Sequence, residues 1–275
     1  MICLISFDEI MNILHKLQQR QIDISSRLCI GLDTEIAKLP AFLSDTEAAM
    51  LHFNTTIIDA TKEFASSYKL NTAFYEQYGH KGWDILHQTV EYIPDEILTI
   101  ADAKRADIGN TSAAYARAIF DDLNCDAITV NPYMGYDSLA PFLEREDRMV
   151  IVLALTSNTG SADFQRLISN GKPLYQHVIE TVLSWKRSSD IGFVVGATHP
   201  EELASIRQYA SDALLLIPGI GAQGGDIDAI MKANGSGPAL INVSRGIQYA
   251  GNDEHFGEKA REAAKYYKER IGMYS

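Results

Sequence analysis

The chain has 275 residues, of which 46% are hydrophobic and 22% charged, and this ordinary globular composition excludes a disordered, collagen-like or coiled-coil protein. Its 24 basic and 36 acidic residues give a formal net charge of −12, which disfavours binding to nucleic acid and to anionic membrane surfaces. Any anionic ligand therefore needs a local basic pocket.

The cysteines indicate where the protein works. Cys3, Cys29 and Cys125 are far apart in the sequence and form no metal-binding spacing with one another or with histidine. Dispersed cysteines in odd number favour a reducing compartment, so we predict a cytoplasmic protein. The apolar start is too short for a signal peptide, and no apolar run approaches the ~18 residues that a membrane span needs.

Hydrophobic periodicity predicts the elements in chain order. Residues 7–19 place apolar side chains on one helical face, which predicts an N-terminal helix laid against the main body. Short runs rich in Ile, Val and Leu follow, and they predict strands at 28–32, 67–70, 98–101, 127–130, 149–155, 192–196, 214–217 and 239–243. Between and after them, helical periodicity predicts helices at 45–64, 82–92, 110–123, 172–184, 200–209, 226–233 and 254–270.

Buried strands that alternate with helices indicate parallel βαβ units, because a parallel connection needs a crossover. Eight such units in about 250 residues favour a closed (β/α)8 TIM barrel, with an open doubly wound sheet as the alternative. No composition break or internal repeat divides the chain, so we predict a single α/β domain over residues 1–275. In such a barrel the functional residues lie at the carboxyl ends of the strands.

Charged residues cluster at the ends of the second and third predicted strands. Lys69 ends the second, and the third runs into Asp102-x-Lys104-x-x-Asp107. Alternation along a strand places Asp102 and Lys104 on one face. A lysine flanked by two carboxylates stays protonated, so Lys104 is predicted to be a fixed cation and a potential proton donor. The alternative is a set of ion pairs that merely links strands.

The ends of the later strands favour ligand binding. Residues 218–226 are rich in glycine, and Arg245 follows the eighth predicted strand. Free backbone N–H groups, a helix N-terminus and a forked cation together favour a phosphate site, which barrels often build after strands seven and eight. A flexible turn and a surface arginine remain the alternative. Residues 156–158, Thr-Ser-Asn, offer groups that can bind the edge of a polar ring, or form a simple turn.

Together these motifs resemble orotidine 5′-phosphate decarboxylase, most closely the longer bacterial branch of that family. The resemblance spans about residues 28 to 250 and rests on Lys69, the Asp-x-Lys-x-x-Asp motif at 102–107, and the segments 53–61, 69–76, 156–158, 218–226 and 244–246. It implies conversion of orotidine 5′-monophosphate to UMP and CO2 in de novo pyrimidine synthesis, with no metal or organic cofactor. It also implies a homodimer.

The resemblance implies a role for each site residue. It places four residues in a charged network at the scissile carboxylate: Lys69, Asp102, Lys104 and Asp107. It assigns substrate binding to Asp33 and Thr111 at the ribose, Ser157 at the pyrimidine edge, Gln223 between base and phosphate, and Pro218, Gly221 and Arg245 at the phosphate end. Asp107 and Thr111 are expected to reach into the partner's site. A protonated Lys104 can stabilise the C6 carbanion left by loss of CO2 and then protonate it.

The residues disfavour three rival functions. A related barrel decarboxylates a keto-sugar phosphate through a Mg²⁺-stabilised enediolate, and Lys69 disfavours it because a lysine repels the metal. A Schiff-base aldolase is disfavoured because its amine must be neutral, whereas carboxylates surround Lys104. A nucleotide-binding barrel that has lost catalysis would be expected to have a broken charged network, and all four charges are present.

Overall fold

The computed structural model describes residues 12–43, 46–220 and 226–274. Its first helix, α1, spans Ile13–Ile24, and the Asn12 side chain caps it by accepting a hydrogen bond from the backbone of His15 at 2.8 Å. The predicted helix at 7–19 therefore ended too early, while its residues 7–11 lie outside the described part. Ile13 and Leu17 are buried against the side chains that fill the barrel interior, so α1 packs across the barrel's amino end.

The described residues form a closed barrel of eight parallel strands, which confirms the TIM-barrel prediction over the open sheet. The strands are β1 Leu28–Gly31, β2 Ser67–Leu70, β3 Leu98–Arg105, β4 Ala127–Val130, β5 Met149–Leu155, β6 Asp190–Val195, β7 Leu214–Pro218 and β8 Ala239–Val243. Each pairs with its sequence neighbours, and β1 closes the ring by pairing with β8, Leu28 opposite Ile241. Every residue of β1, β2, β4 and β8 is buried, because helices cover the outer face and side chains fill the interior.

Helices surround the barrel. They are α2 Glu47–Thr61, α3 Gly79–Tyr92, α4 Gly109–Arg117, α5 Tyr136–Leu143, α6 Leu174–Ser184, α7 Pro200–Tyr209, α8 Ile227–Asn234 and α9 Phe256–Gly272. Hydrophobic periodicity did not predict α5, which is short and contains Pro141, a residue that normally interrupts a helix. A π-helical turn at Ala118–Asp122 continues α4, so the predicted helix at 110–123 covers two elements.

Short elements decorate the carboxyl ends of the strands, where the site lies. Three are helices of four residues, at Ala73–Glu76 after β2, Ser161–Phe164 after β5 and Arg245–Gln248 after β8. A small antiparallel pair, Ile168–Ser169 with Lys172–Pro173, extends the connection after β5. Within the three described ranges, no helix is both long enough and apolar enough to cross a membrane.

Candidate active site

A cavity of about 400 Å³ opens at the carboxyl ends of the strands, on the barrel face where functional residues are expected. Seven of the predicted site residues line it: Asp33, Lys69, Asp102, Lys104, Ser157, Pro218 and Arg245. They come from the ends of six strands or the loops after them, so the closed barrel converts their wide separation in sequence into one cavity.

Lys69 lies at the centre of a charged network on the cavity floor. Its ammonium is 3.2 Å from Oδ1 of Asp33 and 3.0 Å from Oδ2 of Asp102, and the residue is only 3% exposed. The second oxygen of Asp102 lies 2.6 Å from Nζ of Lys104. The charges thus alternate in space in the order Asp33, Lys69, Asp102, Lys104. Lys104 is the solvent-exposed end of this series of charges, since 46% of its side chain is exposed.

Electrostatic attraction outweighs the cost of burial inside this network. Burial alone would lower the pKa of Lys69, but the charges of Asp102 and Asp33 raise that pKa well above its usual value. Burial alone would raise the pKa of Asp102. The charges of Lys69 and Lys104, with hydrogen bonds from Lys104 and Thr129, instead hold that pKa well below its usual range. Lys69 is therefore cationic and Asp102 anionic at neutral pH.

The backbone of β3 is irregular at Lys104. Lys104 has φ +50°, in the left-handed region, and the pairing of β3 with β4 shifts register between Ala101 and Arg105. A residue other than glycine in this conformation costs of order 1–3 kcal/mol unless its surroundings stabilise it. The predicted proximity of Asp102 and Lys104 is present, but regular strand alternation is not its cause, because the strand has turned at Lys104.

Thr129 of β4 stabilises this turn and was not singled out in the sequence. Its hydroxyl donates to Oδ1 of Asp102 at 2.8 Å and accepts from the backbone N–H of Lys104 at 3.0 Å. One fully buried side chain therefore fixes both the carboxylate and the strained lysine backbone. No sequence signal distinguished Thr129 from an ordinary strand threonine, since only the register of β3 against β4 places it there.

Asp107 and Thr111 lie outside this network. The Asp107 carboxylate accepts a hydrogen bond from the N–H of Ile108 at 2.8 Å, and neither Asp107 nor Thr111 is among the residues that line the cavity. Thr111 is exposed on the first turn of α4. Among the residues that the structure describes, Lys104 therefore has one carboxylate contact, to Asp102, rather than the two that the sequence motif suggested.

The loop after β5 carries the predicted base-edge residue. Ser157 lines the cavity, and the preceding Thr156 is fixed by Gln165, whose Oε1 accepts from the Thr156 backbone N–H at 2.8 Å. The Thr156 hydroxyl also lies 2.7 Å from Oδ1 of Asn158. This loop is therefore held by its own side chains, and Gln165 is a contributor that the sequence analysis missed.

The predicted phosphate end is formed by β7 and β8. Pro218 and Arg245 line the cavity, and Gly219, also in its wall, has φ +103°, a conformation that strongly favours glycine. Gly31 at the end of β1 approaches Ser244 so closely that a Cβ on it would lie 2.6 Å from Cβ of Ser244. Gly221 and Gln223 lie outside the described residues, so their roles stay predictions.

Other residues that line the cavity were not assigned from the sequence. Glu35, Lys38, Asn71, Phe74 and Asn242 all contribute to its wall. Each follows or ends a strand that the periodicity identified, so a survey of every strand end would have found them. Cys29 lies just below, with Sγ 3.4 Å from Oδ1 of Asn242, and burial raises the pKa of its thiol to about 12, so it is no nucleophile at neutral pH.

Comparison with known proteins identifies similar chains. The family model described as orotidine 5′-phosphate decarboxylase / HUMPS family matches residues 26–260. A protein of Flavobacterium johnsoniae named orotidine 5′-phosphate decarboxylase is 50% identical over 254 residues, which cover 90% of this chain and 93% of the relative. A protein of the same name from Dehalococcoides mccartyi is 48% identical over 272 residues, 96% of this chain and 98% of the relative.

Solved structures show the same architecture. The OMP decarboxylase of Leishmania donovani superposes with a TM-score of 0.83 at 39% identity, covering 94% of this chain and 97% of that one. The UMP synthase of the same organism gives a TM-score of 0.86 at 40% identity, covering 95% of this chain and 56% of the longer one. The barrel described here is therefore shared over nearly the whole chain.

Proposed function

We propose that this chain, which belongs to the orotidine 5′-phosphate decarboxylase / HUMPS family, is a carboxy-lyase that converts orotidine 5′-monophosphate to UMP and CO2. The observation that carries the proposal is the alternating network of Asp33, Lys69, Asp102 and Lys104 at the floor of a cavity that also contains Arg245. It supplies the two things the reaction needs, a fixed positive charge with a transferable proton and a separate cationic group for phosphate.

Loss of CO2 breaks the bond between C6 and the carboxylate and leaves the electron pair on C6, in the plane of the ring where the π system cannot delocalise it. Lys104 is the partly exposed end of the network and presents an ammonium to the cavity. That ammonium stabilises the developing negative charge and then donates its proton to C6, giving UMP. The neutral amine left behind regains a proton from water.

Asp102 and Lys69 prepare Lys104 for this role. Asp102 aims the Lys104 ammonium through the 2.6 Å contact, and Lys69 compensates the buried charge of Asp102 from its other side. Because these groups are held in place before substrate binds, little reorganisation is needed when charge develops at C6.

The position of Lys69 favours this reaction over the Mg²⁺-dependent decarboxylation of a keto-sugar phosphate. Lys69 occupies the space between Asp33 and Asp102, the two carboxylates that a magnesium ion at this floor would need. A buried ammonium at that point repels a divalent cation and already satisfies both carboxylates.

The cavity offers a place for each part of the substrate. Arg245 lies at the β8 end and is suited to the phosphate, Asp33 to the ribose hydroxyls and Ser157 to the pyrimidine edge. The chain carries a net charge of −12, but the described cavity wall contains four cations, Lys38, Lys69, Lys104 and Arg245, against three carboxylates, Asp33, Glu35 and Asp102. This local excess of positive charge suits an anionic nucleotide. Cys29 and Cys125 are both buried free thiols, consistent with work in the reducing cytoplasm.

A second copy of this chain completes the site. Asp107 and Thr111 lie away from their own cavity, and apolar side chains around them are exposed: Ile108 by 60%, Tyr133 by 87% and Met134 by 47%. Exposed apolar side chains favour an interface between two copies, and in the two-fold dimer that the family resemblance implies, Asp107 and Thr111 of each chain reach the partner's cavity. There Asp107 would give Lys104 a second carboxylate in addition to Asp102.

The direct test follows the ultraviolet absorbance of orotidine 5′-monophosphate in the presence of purified protein and excess EDTA. We expect conversion to UMP at a rate that EDTA does not change. Loss of this activity in EDTA with recovery on adding Mg²⁺ would contradict the metal-free mechanism. Tight UMP binding without conversion would mean an inactive nucleotide-binding barrel. The absence of both binding and conversion would refute the site assignment.

A further inference from the structure

A fully buried cluster of polar side chains lies beneath the loops that carry the site. It consists of Thr34, Asn54, Tyr75 and Gln248, none of which is exposed, and we call it the Thr34 cluster. Thr34 directly follows Asp33, and Gln248 ends the short helix that begins at Arg245. The cluster therefore joins the loop proposed to bind ribose to the turn proposed to bind phosphate.

The contacts within the cluster are short. The Thr34 hydroxyl lies 2.6 Å from Oδ1 of Asn54 and 2.8 Å from Oε1 of Gln248, whose amide also lies 3.0 Å from the hydroxyl of Ser244. Asn54 donates to the hydroxyl of Tyr75 at 3.0 Å.

Tyr75 also connects the cluster to β1, which Asp33 follows, and to β2, which carries Lys69. Its hydroxyl donates to the backbone carbonyl of Leu32 at 2.9 Å, one residue before Asp33. It belongs to the short helix that follows β2, the strand of Lys69. Three neighbouring strands, β8, β1 and β2, thus meet at one set of buried hydrogen bonds.

The number of available protons fixes the direction of these hydrogen bonds. Thr34 has one hydroxyl proton and faces two amide groups, so it can donate to one of them and must accept from the other. If it donates to Asn54, the Gln248 amide must turn its nitrogen to Thr34 and its oxygen to the proton of Ser244. Hydrogen-bond direction then runs without interruption from Ser244 through Gln248 and Thr34 to Asn54 and Tyr75.

A second contact ties the same two segments together. The backbone N–H of Glu35 donates to the hydroxyl of Tyr249 at 2.9 Å, one residue beyond each of Thr34 and Gln248. Next to this, Gly31 and Ser244 pack too closely for any side chain at position 31. The spacing between the Asp33 loop and the Arg245 turn is therefore set by buried contacts and not by the exposed loop residues.

We propose that the Thr34 cluster is a positioning device that sets the distance between Arg245 and Asp33, with Gln248 as the link between them. This rests on the proposed function, because it assigns phosphate to Arg245 and ribose to Asp33. None of the four residues touches substrate. They act by letting one nucleotide engage both ends of the cavity at once, so that contacts at the remote phosphate also orient the reacting ring.

The test compares Gln248→Met with the unchanged protein on two substrates, orotidine 5′-monophosphate and the nucleoside orotidine. Methionine keeps the length of glutamine and removes both amide contacts. We expect kcat/KM for the phosphorylated substrate to fall roughly 10- to 100-fold, because small misplacements have effects of that size. For orotidine we expect a change within about twofold, since a substrate without phosphate does not depend on where Arg245 lies.

Two further comparisons separate positioning from general destabilisation. Asn234→Leu removes a buried amide at the opposite face of the barrel, where Asn234 bonds Arg207, and should leave the ratio of the two kcat/KM values unchanged. Thr34→Val should reproduce the selective loss, and Thr34→Ser, which keeps the hydroxyl, should restore the ratio. If Gln248→Met does not fold, the Thr34 pair decides the question.

An equal loss on both substrates, or no loss on either, would overturn the proposal. If nucleoside turnover is too slow to measure, the ratio of UMP to uridine affinity replaces it and should fall in Gln248→Met but not in Asn234→Leu. If the protein without substitutions binds UMP but does not decarboxylate orotidine 5′-monophosphate, only the proposed function is refuted. The ratio of UMP to uridine affinity would then still test the role of the Thr34 cluster.

Discussion

Lys104 contacts Asp102 across a turn in the backbone, with Nζ 2.6 Å from Oδ1, and not along a regular strand. The left-handed conformation of Lys104 is stabilised by Thr129, which also binds the same carboxylate oxygen. The backbone at the exposed end of the network is therefore held by the same residue that holds its carboxylate partner. For an electrostatic catalyst this matters, because the charge must already be in position when the carbanion forms.

Replacing Lys104 with alanine should remove the charge and the proton that the reaction uses. We expect turnover to fall by at least about 10⁴-fold, since electrostatic stabilisation and proton donation are lost together. UMP affinity should remain largely intact, as measured by calorimetry. Lys259→Ala is the matched control, because Lys259 is similarly exposed and pairs with Asp253 at 2.6 Å away from the cavity. Near-full turnover in Lys104→Ala would refute its assignment.

The depressed pKa of Asp102 makes a prediction about stability in acid. A carboxylate whose folded pKa lies below its unfolded value of about 3.9 contributes stability that is present above that pH and is lost as pH falls toward the folded pKa. Urea unfolding between about pH 5 and pH 3 should therefore show a shallower loss of stability in Asp102→Asn than in the unchanged protein. The difference between the two slopes should correspond to at most one proton taken up on unfolding. Asp23→Asn, at an exposed position on α1, should keep the original slope. Equal slopes in all three proteins would contradict this account.

Thr129→Val should weaken the support of Lys104 without removing any charge. The Asp102 carboxylate and the Lys104 backbone N–H each lose a partly buried hydrogen bond, so we expect a loss of about 1–3 kcal/mol in the free energy of unfolding and a lower kcat with little change in KM. Thr129→Ser keeps the hydroxyl and should recover most of kcat. Steady-state kinetics and urea denaturation of the pair would measure this. A serine variant no better than valine would show that the methyl group matters, and not the hydrogen bonds.

Arg245→Ala should affect phosphate affinity first. Hydrogen bonds to a charged group contribute about 1.5–3 kcal/mol, so UMP should bind roughly 10- to 100-fold more weakly. Uridine lacks the phosphate and should bind with its original affinity, which provides the internal control. Calorimetric titration with both ligands tests the assignment, and it would be wrong if UMP affinity did not change.

Asp107 gives a test of the shared site. Lys104→Ala and Asp107→Ala should each be almost inactive alone, whereas a mixed dimer would contain one intact site, formed by Lys104 of one chain and Asp107 of the other. Random exchange of the two variants should restore about a quarter of the original activity, because half the dimers are mixed and each has one working site. Sedimentation should show a dimer throughout. No recovery after proven exchange would place Asp107 in its own chain's site.

Periodicity was sufficient for the barrel because each strand is buried on both faces. A strand packed between the interior and the helices must be apolar along its length, so runs such as 127–130 and 149–155 are visible in the sequence with their full extent. Periodicity did not reveal α5, because that helix is short and contains proline. It also ended the N-terminal helix too early, because the last turn of α1 is held by hydrogen bonds from Arg20 and Gln21 to the main body and not by an apolar face.

The charged residues were likewise identified by their type and their place at strand ends, and the structure brings Asp33, Lys69, Asp102 and Lys104 into contact. What the sequence could not contain was the connection between them. Lys69 separates Asp33 from Asp102, and Asp107 is not part of the single-chain network, because those relations depend on the register of neighbouring strands.

The sequence by itself determined where the eight strands lie along the chain and which residues at their ends can carry charge, since each depends on local side-chain chemistry or on a simple period. The tertiary structure alone decided the turn at Lys104, the role of Thr129 and the buried Thr34 cluster. Those features join residues far apart in the chain, as Thr34 meets Gln248, and their hydrogen bonds exist only once the barrel has closed and excluded water from them.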